Sequence, residues 1–399
     1  MLNTAKFDVI IVYNGSIATS ASTTDELITT PFPSRPSYNL AYSYFLKMLA
    51  VNHLKSAFST SGDIIGSGIF QSYWTCQGKI WTKHAHTCQT SQIFDKFSPT
   101  DQKGKKLRTL LFASPTINAF NQPEIFEIFF DKQKTFNTLP SYAIPTVTVA
   151  PGDQGNITRS LAQLSALILA HPHALDFSDS LILKDRFGAG GLNIYKFKFA
   201  DRSNIFKMIT DHPKLSFILQ PLVKFDHGFS YHGLKKSADI RLIYLNGELE
   251  TAYIRMAKTG DFRCNQHQGG SLSYLKLGEI PANVLTSSRA IAKKLNKKST
   301  LFTLDFIVSN SNHAYFLEGN TGPGLTWDPA DEIDKYEAKK LIKSIVKVFV
   351  ERIAKVKVLK TISRRPTRRT VVSKTPFLPQ ALGILSPWTW YVWSLTRHL

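Results

Sequence analysis

Two short apolar segments joined by a polar turn constrain the fold of this chain more than any other feature. Residues 301–308 and 314–318 are rich in β-branched and aromatic residues, and Ser309-Asn310-Ser311-Asn312 separates them. This pattern predicts an antiparallel β-hairpin. Since alternate residues of a strand share one face, Glu318 and Asn320 project together, and a partner strand can bring Asp305 alongside them. Two carboxylates and one amide oxygen suit a hard cation such as Mg²⁺, although solvated hairpin residues would produce the same pattern.

A glycine cluster lies between two other strand-like segments. Residues 181–184 and 192–199 read as strands, and Gly188-Ala189-Gly190-Gly191 separates them. Glycines in this setting predict a hairpin loop, whereas the P-loop and the Rossmann turn both connect a strand to a helix. Neither of those two fingerprints is present in the sequence.

The rest of the chain predicts alternating helices and strands. Residues 7–13 predict a buried strand that ends at Asn14-Gly15, residues 38–57 a helix, and residues 110–113 another strand. Further helices are predicted over about 157–170, 282–295 and 330–356, and Asn246-Gly247 predicts a type I′ turn within a hairpin over 239–256. The alternation favours an α/β first unit over roughly residues 1–120.

The charge of the chain implies an anionic partner. Lys and Arg number 49 against 29 Asp and Glu, which gives a formal net charge of +20. Ten basic residues and no acidic residue lie from Arg352 onward, so half of the excess belongs to the tail. Basic residues followed by Trp388, Trp390 and Trp393 suit a peripheral contact with a membrane surface or with nucleic acid. The alternative is a tail whose apolar part packs on the body or on a partner subunit.

The cysteines and the N-terminus favour a cytoplasmic protein. Cys76, Cys88 and Cys264 are too few and too scattered for a disulfide framework. The N-terminal residues lack the pattern of a cleaved signal peptide, and no stretch of about 18 apolar residues occurs.

One segment contains both cysteines and histidines, which invites a zinc interpretation. The spacing of these residues matches no standard zinc finger, and Trp74 and Trp81 in the same segment make a packed strand pair an equally natural explanation. The four residues concerned are Cys76, His84, His86 and Cys88.

The hairpin is part of a longer series of motifs. The run LFTLDFIVSNSNHAYFLEGNTGP, residues 301–323, resembles the metal-binding hairpin of ATP-grasp enzymes, in which a D-F/I strand precedes an L-E-x-N strand and a nearby Pro-Gly. The run SADIRLIYLNGELETAYIRMAKTGDFRCNQHQGG, residues 237–270, resembles the D-I-R, R-x-A, G-D-F-R-x-N and G-G motifs of the RimK-type, glutathione-synthetase-like subgroup. Independent motifs in the same order are far more specific than any single one, and the resemblance covers about residues 131–350.

The resemblance implies an α/β (α+β) fold of the ATP-grasp type, in which two α+β subdomains grip ATP behind an N-terminal α/β pre-ATP-grasp domain. The implied boundaries are 1–120 for the N-terminal domain, 121–222 for the small subdomain with its glycine-rich lid, 223–356 for the C-terminal subdomain with the Mg²⁺ site, and 357–399 for a basic, Trp-containing tail.

The resemblance also implies roles for single residues. Lys132 and Lys184 correspond to the lysines that hold ATP phosphates from two subdomains, with Lys134 as a competing register for Lys132. Arg241 and Arg255 correspond to arginines that neutralise the activated carboxylate or its acyl-phosphate. The Mg²⁺ ligands correspond to Asp305, Glu318 and Asn320. The remaining nucleotide contacts correspond to Gly188, Gly190, Gly191, Gln220, Pro221, Leu222, Val223, Asp239, Arg263 and Asn265.

Several features qualify this assignment. Arg241, Arg255 and Arg263 are also compatible with exposed strand residues that make weak surface pairs. Pro221 stands where RimK-type enzymes usually carry an acidic residue whose side chain contacts adenine. Gly319 replaces a common Val between two metal ligands, and residues 224–236 form a longer segment than usual.

The function that the resemblance implies is ATP-dependent ligation. A substrate carboxylate is activated as an acyl-phosphate and joined to the amine of an amino acid or peptide, with release of ADP and phosphate. ATP and Mg²⁺ are the implied cofactors, with Mn²⁺ as an alternative ion, and many relatives form homo-oligomers. Two alternatives are an ATP-grasp kinase that phosphorylates a hydroxyl, and a catalytically degenerate nucleotide-binding protein that docks through its tail. The identity of both substrates is not indicated by the sequence.

Overall fold

The structure is a computed structural model that describes residues 4–99, 101–150, 152–188, 190–258, 261, 263–264, 271–295 and 300–363. The predictions made for Asn265, for the Gly-Gly motif at 269–270 and for the tail beyond Ser363 lie outside these residues.

Within the described residues the chain forms eight α-helices: α1 (Pro36–Val51), α2 (Gln102–Leu111), α3 (Pro123–Phe130), α4 (Lys132–Thr138), α5 (Gln154–Leu169), α6 (Arg202–Asp211), α7 (Ala282–Lys294) and α8 (Glu332–Ser363). The same residues contain 21 β-strands: β1 (Ala5–Lys6), β2 (Val9–Tyr13), β3 (Ser56–Thr60), β4 (Ile64–Gly66), β5 (Ile69–Phe70), β6 (Tyr73–Gln77), β7 (Ile80–His84), β8 (Cys88–Gln89), β9 (Gln92–Lys96), β10 (Asn118–Ala119), β11 (Val147–Thr148), β12 (Phe177–Asp185), β13 (Ile194–Lys198), β14 (Phe217–Val223), β15 (Ser230–Tyr231), β16 (Leu234–Lys235), β17 (Ala238–Leu245), β18 (Glu248–Met256), β19 (Ser271–Leu275), β20 (Leu301–Val308) and β21 (Ala314–Asn320). No helix among the described residues combines the length and the apolar character needed to cross a membrane.

The N-terminal part is built on a six-stranded sheet with the order β10-β9-β2-β3-β6-β7. β2 pairs in parallel with both β3 and β9, so the carboxyl ends of these three strands lie at one edge of the sheet. Every residue of β2 is buried, as expected for a strand covered on both faces. The prediction of a buried strand ending at Asn14-Gly15 is confirmed.

Two boundaries in this part were predicted wrongly. The helix predicted over 38–57 ends at Val51, and residues 56–60 form β3. The strand predicted over 110–113 is the end of α2, whose N-cap Asp101 accepts a hydrogen bond from the N–H of Gly104. Leu111 is fully buried in the core that contains Ile10 and Ile93. A short apolar run fits a buried helix end as well as a strand, and packing decided between them.

The central part contains two antiparallel sheets. The first has the order β11-β14-β12-β13 and shares an apolar cluster with α5 and α6. The second has the order β19-β18-β17-β20-β21 and packs against α3 and α7. Asn246 and Gly247 have φ angles of 56° and 84°, the left-handed values that a type I′ turn requires, which confirms the predicted turn between β17 and β18.

One apolar core links the N-terminal sheet to the five-stranded sheet through α8. Ile345 and Phe349 of α8 are fully buried in a cluster with Phe94 of β9 and Leu301 of β20. The Phe120 and Phe349 rings have centroids 4.9 Å apart, and the Arg352 guanidinium lies over the Phe120 ring. This core holds the carboxyl edge of the first sheet against one face of the five-stranded sheet.

A buried carboxylate joins the turn between β20 and β21 to the segment that precedes β12. The Tyr315 hydroxyl donates to Asp176 Oδ2 at 2.8 Å, and His313 Nδ1 lies 2.8 Å from the same oxygen. Burial alone would raise the pKa of Asp176, but hydrogen bonds from Ser311, Tyr315 and His313 outweigh it and lower this pKa to about 2.

This lowered pKa predicts an acid-dependent loss of stability. An aspartate in the unfolded chain has a pKa of about 3.9, so its stabilising contribution is complete above about pH 4 and is lost as the pH falls towards 2. We expect denaturant midpoints to drop more between pH 5 and pH 2.5 in the wild type than in Asp176→Asn, which cannot titrate there. Equal drops in the two chains would contradict this role of Asp176.

Candidate functional site

One row of side chains crosses the whole five-stranded sheet. Tyr274 of β19 pairs with Tyr253 of β18, and Tyr253 pairs with Arg241 of β17. Arg241 pairs in turn with Asp305 of β20, and Asp305 pairs with Glu318 of β21. Directly opposed residues share a face, so these side chains project side by side. Neighbouring strands lie about 4.8 Å apart, so the row is ~19 Å long.

Two β-bulges create this row. Between β17 and β18 the register shifts at Ile243/Tyr244, which leaves Glu250 as the extra residue. Between β20 and β21 it shifts at Asp305/Phe306, which leaves Leu317 extra. A shift of one residue moves side chains to the other face of a strand. Without the first bulge, Arg255 would lie on the face of the sheet opposite to Asp239. Without the second bulge, Glu318 would lie on the face opposite to Asp305.

Two residues of this row, Arg241 and Asp305, form a buried network with Arg255 and Asp239. Arg241 donates through Nε and Nη2 to both oxygens of Asp305, at 2.6 and 2.5 Å. Arg255 donates to both oxygens of Asp239, at 2.6 and 2.9 Å, and through Nη2 to Asp305 at 2.7 Å. The exposed-strand alternative is therefore excluded for Arg241 and Arg255.

Burial and charge act in opposite directions on the two aspartates. Burial favours the neutral carboxyl, but the guanidinium groups of Arg241 and Arg255 outweigh it and hold the pKa of Asp305 below its ordinary value. In Asp239 burial prevails over the charge of Arg255 and raises the pKa. Asp305 is the carboxylate that accepts hydrogen bonds from both arginines and thus joins the two ion pairs.

Two lysines approach Glu318 from elements outside the five-stranded sheet. Lys132 is the first residue of α4, and its Nζ donates to the carbonyl of Gly188 in the glycine-rich loop. Lys184 lies near the end of β12. Burial lowers the pKa of both amines, that of Lys184 to about 8, while the negative charge of Glu318 opposes this effect in each case. The competing Lys134 pairs instead with Glu127 at an exposed position.

The glycine-rich loop is anchored beside Lys132. Asp131 caps α4 through Gln133 and Lys134 N–H, and it accepts two hydrogen bonds from Arg186 at 2.7 and 2.6 Å. Gly190 and Gly191 have φ angles of 71° and 76°, a region that residues with a Cβ rarely adopt. Both positions lie in the predicted hairpin loop between β12 and β13.

A cavity of about 690 Å³ covers this face of the sheet. That size fits a small-molecule ligand. The N-terminal sheet, the glycine-rich loop, α3, the five-stranded sheet and α8 all contribute to its walls. Seven of the predicted site residues line it: Lys132, Gly188, Gly190, Arg241, Arg255, Glu318 and Asn320.

Other predicted residues lie away from the cavity wall. Lys184, Asp239 and Asp305 are buried behind it, and Gly191 is not part of the wall. Gln220 is buried and donates to Thr146 Oγ1 at 2.7 Å. Gln220, Pro221, Leu222 and Val223 belong to β14 and do not line the cavity. Arg263 pairs with Asp261 at 2.9 Å at a partly exposed position outside the cavity wall.

Two of the three predicted Mg²⁺ ligands at the end of the row are accessible from the cavity, and the third lies behind them. Glu318 and Asn320 line the cavity, and no hydrogen bond or ion pair reaches the Glu318 carboxylate from the described residues. Asp305 already accepts three N–H groups from arginines, and a carboxylate has about four acceptor sites. Glu318 is therefore available as a Mg²⁺ ligand. Asn320 Oδ1, which accepts the Gly322 N–H at 2.7 Å, and Asp305 each retain one acceptor site for that purpose.

In the segment for which zinc binding was considered, both histidines contact neighbouring hydroxyl groups. His84 Nε2 lies 2.8 Å from Thr75 Oγ1, and His86 Nε2 lies 2.8 Å from the Tyr73 hydroxyl. Burial raises the pKa of Cys88 to about 12, which favours the thiol over the metal-binding thiolate. In the part of the chain that the structure describes, no three His, Cys, Asp or Glu side chains are arranged to hold a metal ion.

Gly319 has a packing role that the sequence did not indicate. A Cβ at this position would lie inside van der Waals distance of the Phe129 ring from α3. Glycine therefore lets Phe129 pack closely against β21 at the residue that separates the two candidate metal ligands in sequence, and Phe129 also lines the cavity.

This contact predicts coupling between the two positions. We expect Gly319→Val to lower the free energy of unfolding by about 1–3 kcal/mol, because overpacking forces side chains and backbone to shift. Phe129→Ala in the same chain makes room, so the double variant should be less destabilised than the sum of the single variants. Denaturant unfolding of the four chains measures this coupling, and strict additivity would contradict the contact.

Sequence reasoning missed several residues of the site. Tyr253 lies in the hairpin predicted over 239–256, and Tyr274 lies in β19, which the sequence analysis did not predict; only the register across β18 and β19 places them beside Arg241. Lys96 and Trp327 line the cavity from the N-terminal sheet and from the loop after β21. The only sequence signal for Lys96 is its position at the end of a strand-like run.

The fold is shared with solved structures of low sequence identity. The D-alanine-D-alanine ligase from Coxiella burnetii has a TM-score of 0.53 and 12% identity, over 89% of this chain and 97% of that chain. A RimK domain protein ATP-grasp from Sphaerobacter thermophilus has a TM-score of 0.51 and 11% identity, over 85% of this chain and 98% of that chain. The architecture is that of the ATP-grasp proteins, which confirms the predicted α/β (α+β) fold class.

The family assignment is more specific than the fold. The family model described as RimK-like ATP-grasp domain matches residues 144–345, just over half of the chain. The chain therefore belongs to the RimK-like ATP-grasp family.

The curated relatives match only part of the chain. The probable alpha-L-glutamate ligase of Hydrogenovibrio crunogenus is 30% identical over 121 residues, which are 30% of this chain and 36% of that protein. The protein of the same description from Pseudomonas fluorescens is 36% identical over 89 residues, 22% of this chain and 27% of that protein. The chain thus spans well under half the length of the curated relatives it matches.

Proposed function

We propose that this chain is an ATP-dependent carboxylate-amine ligase. The observation that carries the proposal is the convergence of Glu318 and Asn320 with Lys132, Gly188 and Gly190 on one cavity wall. Lysines, glycine backbone and hard oxygen donors are the groups that bind phosphates together with Mg²⁺. The family name and the relatives named probable alpha-L-glutamate ligase support the same activity.

In this proposal the two lysines of the small subdomain act on the phosphates in different ways. Lys132 would exchange its bond to Gly188 for a phosphate oxygen, and the charge of Lys184 behind it would strengthen the local positive field. The backbone N–H groups of the glycine-rich loop approach the same phosphates. Mg²⁺ held by Glu318 and Asn320, with Asp305 behind them, would neutralise charge on the β- and γ-phosphates.

The arginines then act on the reacting carboxylate. A guanidinium has five N–H groups, of which Arg255 uses three and Arg241 two on Asp305 and Asp239. The remaining N–H groups are available for the carboxylate that attacks the γ-phosphorus and for the oxyanion that forms when the amine attacks. The aspartates orient both arginines before substrate binds.

Further assignments belong to the same proposal. Gln220–Val223, Asp239, Arg263 and Asn265 are proposed nucleotide contacts. We also propose domain boundaries at about 120 and 222, and this proposal is supported by three large sheets that occupy residues 9–119, 147–223 and 238–320. Homo-oligomer formation, Mn²⁺ as an alternative ion and a peripheral role of the tail also remain proposals.

A screen for ADP formation tests the activity. The full chain is incubated with Mg·ATP and pairs of amino acids and carboxylates that include L-glutamate, and ADP and free phosphate are measured together. Equal amounts of ADP and phosphate support a ligase. ADP formation with phosphate retained on the product would instead indicate the kinase. Absence of ADP formation across the screen, together with absence of Mg·ATP binding in calorimetry, would overturn the proposal.

A further inference from the structure

Two side chains from the N-terminal part hold the loop that follows β21. Three consecutive carbonyl oxygens of this loop accept hydrogen bonds from them. Asn121 Nδ2 donates to Thr321 at 2.7 Å, and Lys96 Nζ donates to Gly322 at 2.8 Å and to Pro323 at 2.5 Å. Asn320 Oδ1 accepts the N–H of Gly322 at 2.7 Å, so the same loop fixes a candidate metal ligand.

Lys96 lies where an open parallel sheet usually binds ligands. It is the last residue of β9, and its parallel neighbour β2 ends at Tyr13 in the same register. Ligands of open α/β sheets bind beyond the carboxyl ends of the strands. Lys96 and Asn14 both line the cavity there, together with Asn320.

The ammonium group of Lys96 has unused binding capacity. A lysine ammonium has three N–H donors, and the two loop carbonyls use two of them. No further hydrogen bond or ion pair reaches Lys96 from the described residues. The neighbouring Asp95 is engaged by Arg108 at 2.7 Å. Burial lowers the pKa of Lys96 to about 7, with Asp95 opposing this effect, as expected for a cation without a close carboxylate partner.

We propose that Lys96 is a further substrate-binding catalytic residue, whose remaining N–H binds an oxygen of the transferred phosphoryl group beside Asn320. This inference rests on the proposed function. A partly buried ammonium that is bonded only to carbonyls binds an anion favourably, because the anion supplies charge that the limited contact with solvent does not. The N-terminal sheet would thus contribute a cation to a phosphoryl site otherwise built from the two ATP-grasp subdomains.

The test uses inorganic phosphate, a product of the proposed reaction, as the probe. Phosphate is titrated by calorimetry into the full chain saturated with Mg·ADP, for the wild type, Lys96→Met, Lys96→Arg and Asn121→Ala. Charge-assisted hydrogen bonds contribute enough that we expect Lys96→Met to weaken phosphate binding by about 10- to 100-fold. Lys96→Arg, which keeps the charge, should stay within about fivefold of wild type. The affinity for Mg·ADP itself should change less than about threefold.

Asn121→Ala separates anion binding from loop anchoring. This variant loses the bond to the Thr321 carbonyl and the bond that Asn121 Oδ1 accepts from the Leu301 N–H, but it keeps the charge of Lys96, so phosphate affinity should remain near the wild-type value. Equal weakening in Asn121→Ala and Lys96→Met would show that Lys96 only anchors the loop and would overturn the proposal. Unchanged phosphate affinity in Lys96→Met would overturn it as well. Thermal melts of all four chains identify any variant that fails to fold. If Lys96→Met does not fold, Lys96→Arg replaces it in the test, and a loss of phosphate affinity greater than about fivefold in that variant overturns the proposal.

Failure of the proposed function has a different signature. If the wild type does not bind Mg·ADP, the proposed ligase activity is overturned, and phosphate is titrated into the nucleotide-free chains instead. Weaker phosphate binding in Lys96→Met than in the wild type then supports the anion site at Lys96. Equal binding, or no phosphate binding by the wild type, overturns it.

Discussion

Replacing Glu318 by alanine is expected to lower the rate of ADP formation by about a hundredfold or more. Residues that merely support a metal ligand already cost about 10- to 100-fold when mutated, and Glu318 would be a ligand itself. Its carboxylate lines the cavity, and no cation from the described residues pairs with it. The measurement is the initial rate of ADP release at saturating Mg·ATP, with the substrate pair found in the screen.

Glu332→Ala provides a matched control for this variant. Glu332 is an exposed glutamate at the start of α8 that pairs with Lys335 on the surface. Its removal should leave the rate within about twofold of wild type, because exposed ion pairs contribute little. A Glu318→Ala chain that binds Mg·ATP and forms ADP at the wild-type rate would remove Glu318 from the metal site, and with it the central element of the proposed mechanism.

The order of the elements near the site was predictable from local sequence. The hairpin of β20 and β21 follows from two apolar runs around a polar turn, and Asn246-Gly247 identified the turn between β17 and β18. Both signals are local, since they depend on residues a few positions apart. The glycine-rich loop between β12 and β13 was predictable for the same reason.

The faces of the strands were not predictable from the same patterns. Regular pairing outward from the Asn246-Gly247 turn would place Ile254 opposite Asp239, and Arg255 on the other face. The bulge at Glu250 puts Arg255 opposite Asp239, and the bulge at Leu317 puts Glu318 opposite Asp305. A bulge depends on tertiary packing and leaves no reliable local signature. The motif resemblance identified the right residues, but only the register shows why they meet.

The part of the cavity wall that the N-terminal residues form could not be predicted from local sequence patterns either. Lys96 contacts Gly322 and Pro323, which lie more than 200 positions further along the chain. The prediction of a strand over 110–113 was wrong for a related reason. The burial of Leu111, and not the local sequence pattern, determines the conformation of that segment. Contacts at such separation depend on how the sheets pack, and a single sequence contains no direct signal for that.

Replacing Arg255 by methionine is expected to lower the free energy of unfolding by about 3–5 kcal/mol. Breaking a buried ion pair leaves its partner charge uncompensated, and that penalty exceeds the value of an exposed pair several-fold. Arg255 donates three hydrogen bonds to two buried carboxylates, Asp239 and Asp305. Methionine fills most of the volume but supplies neither charge nor donors. Denaturant unfolding of the full chain measures the loss.

Two companion variants show whether the buried network causes this loss. Arg263→Met removes an arginine of the same motif whose pair with Asp261 is partly exposed, and it should cost less than about 1 kcal/mol. Adding Asp239→Asn to Arg255→Met removes one uncompensated charge, so the double variant should regain part of the lost stability. If Arg255→Met unfolds at the wild-type midpoint, or if the second substitution only adds to the loss, the network does not stabilise the sheet. Its arginines would then serve substrate binding alone.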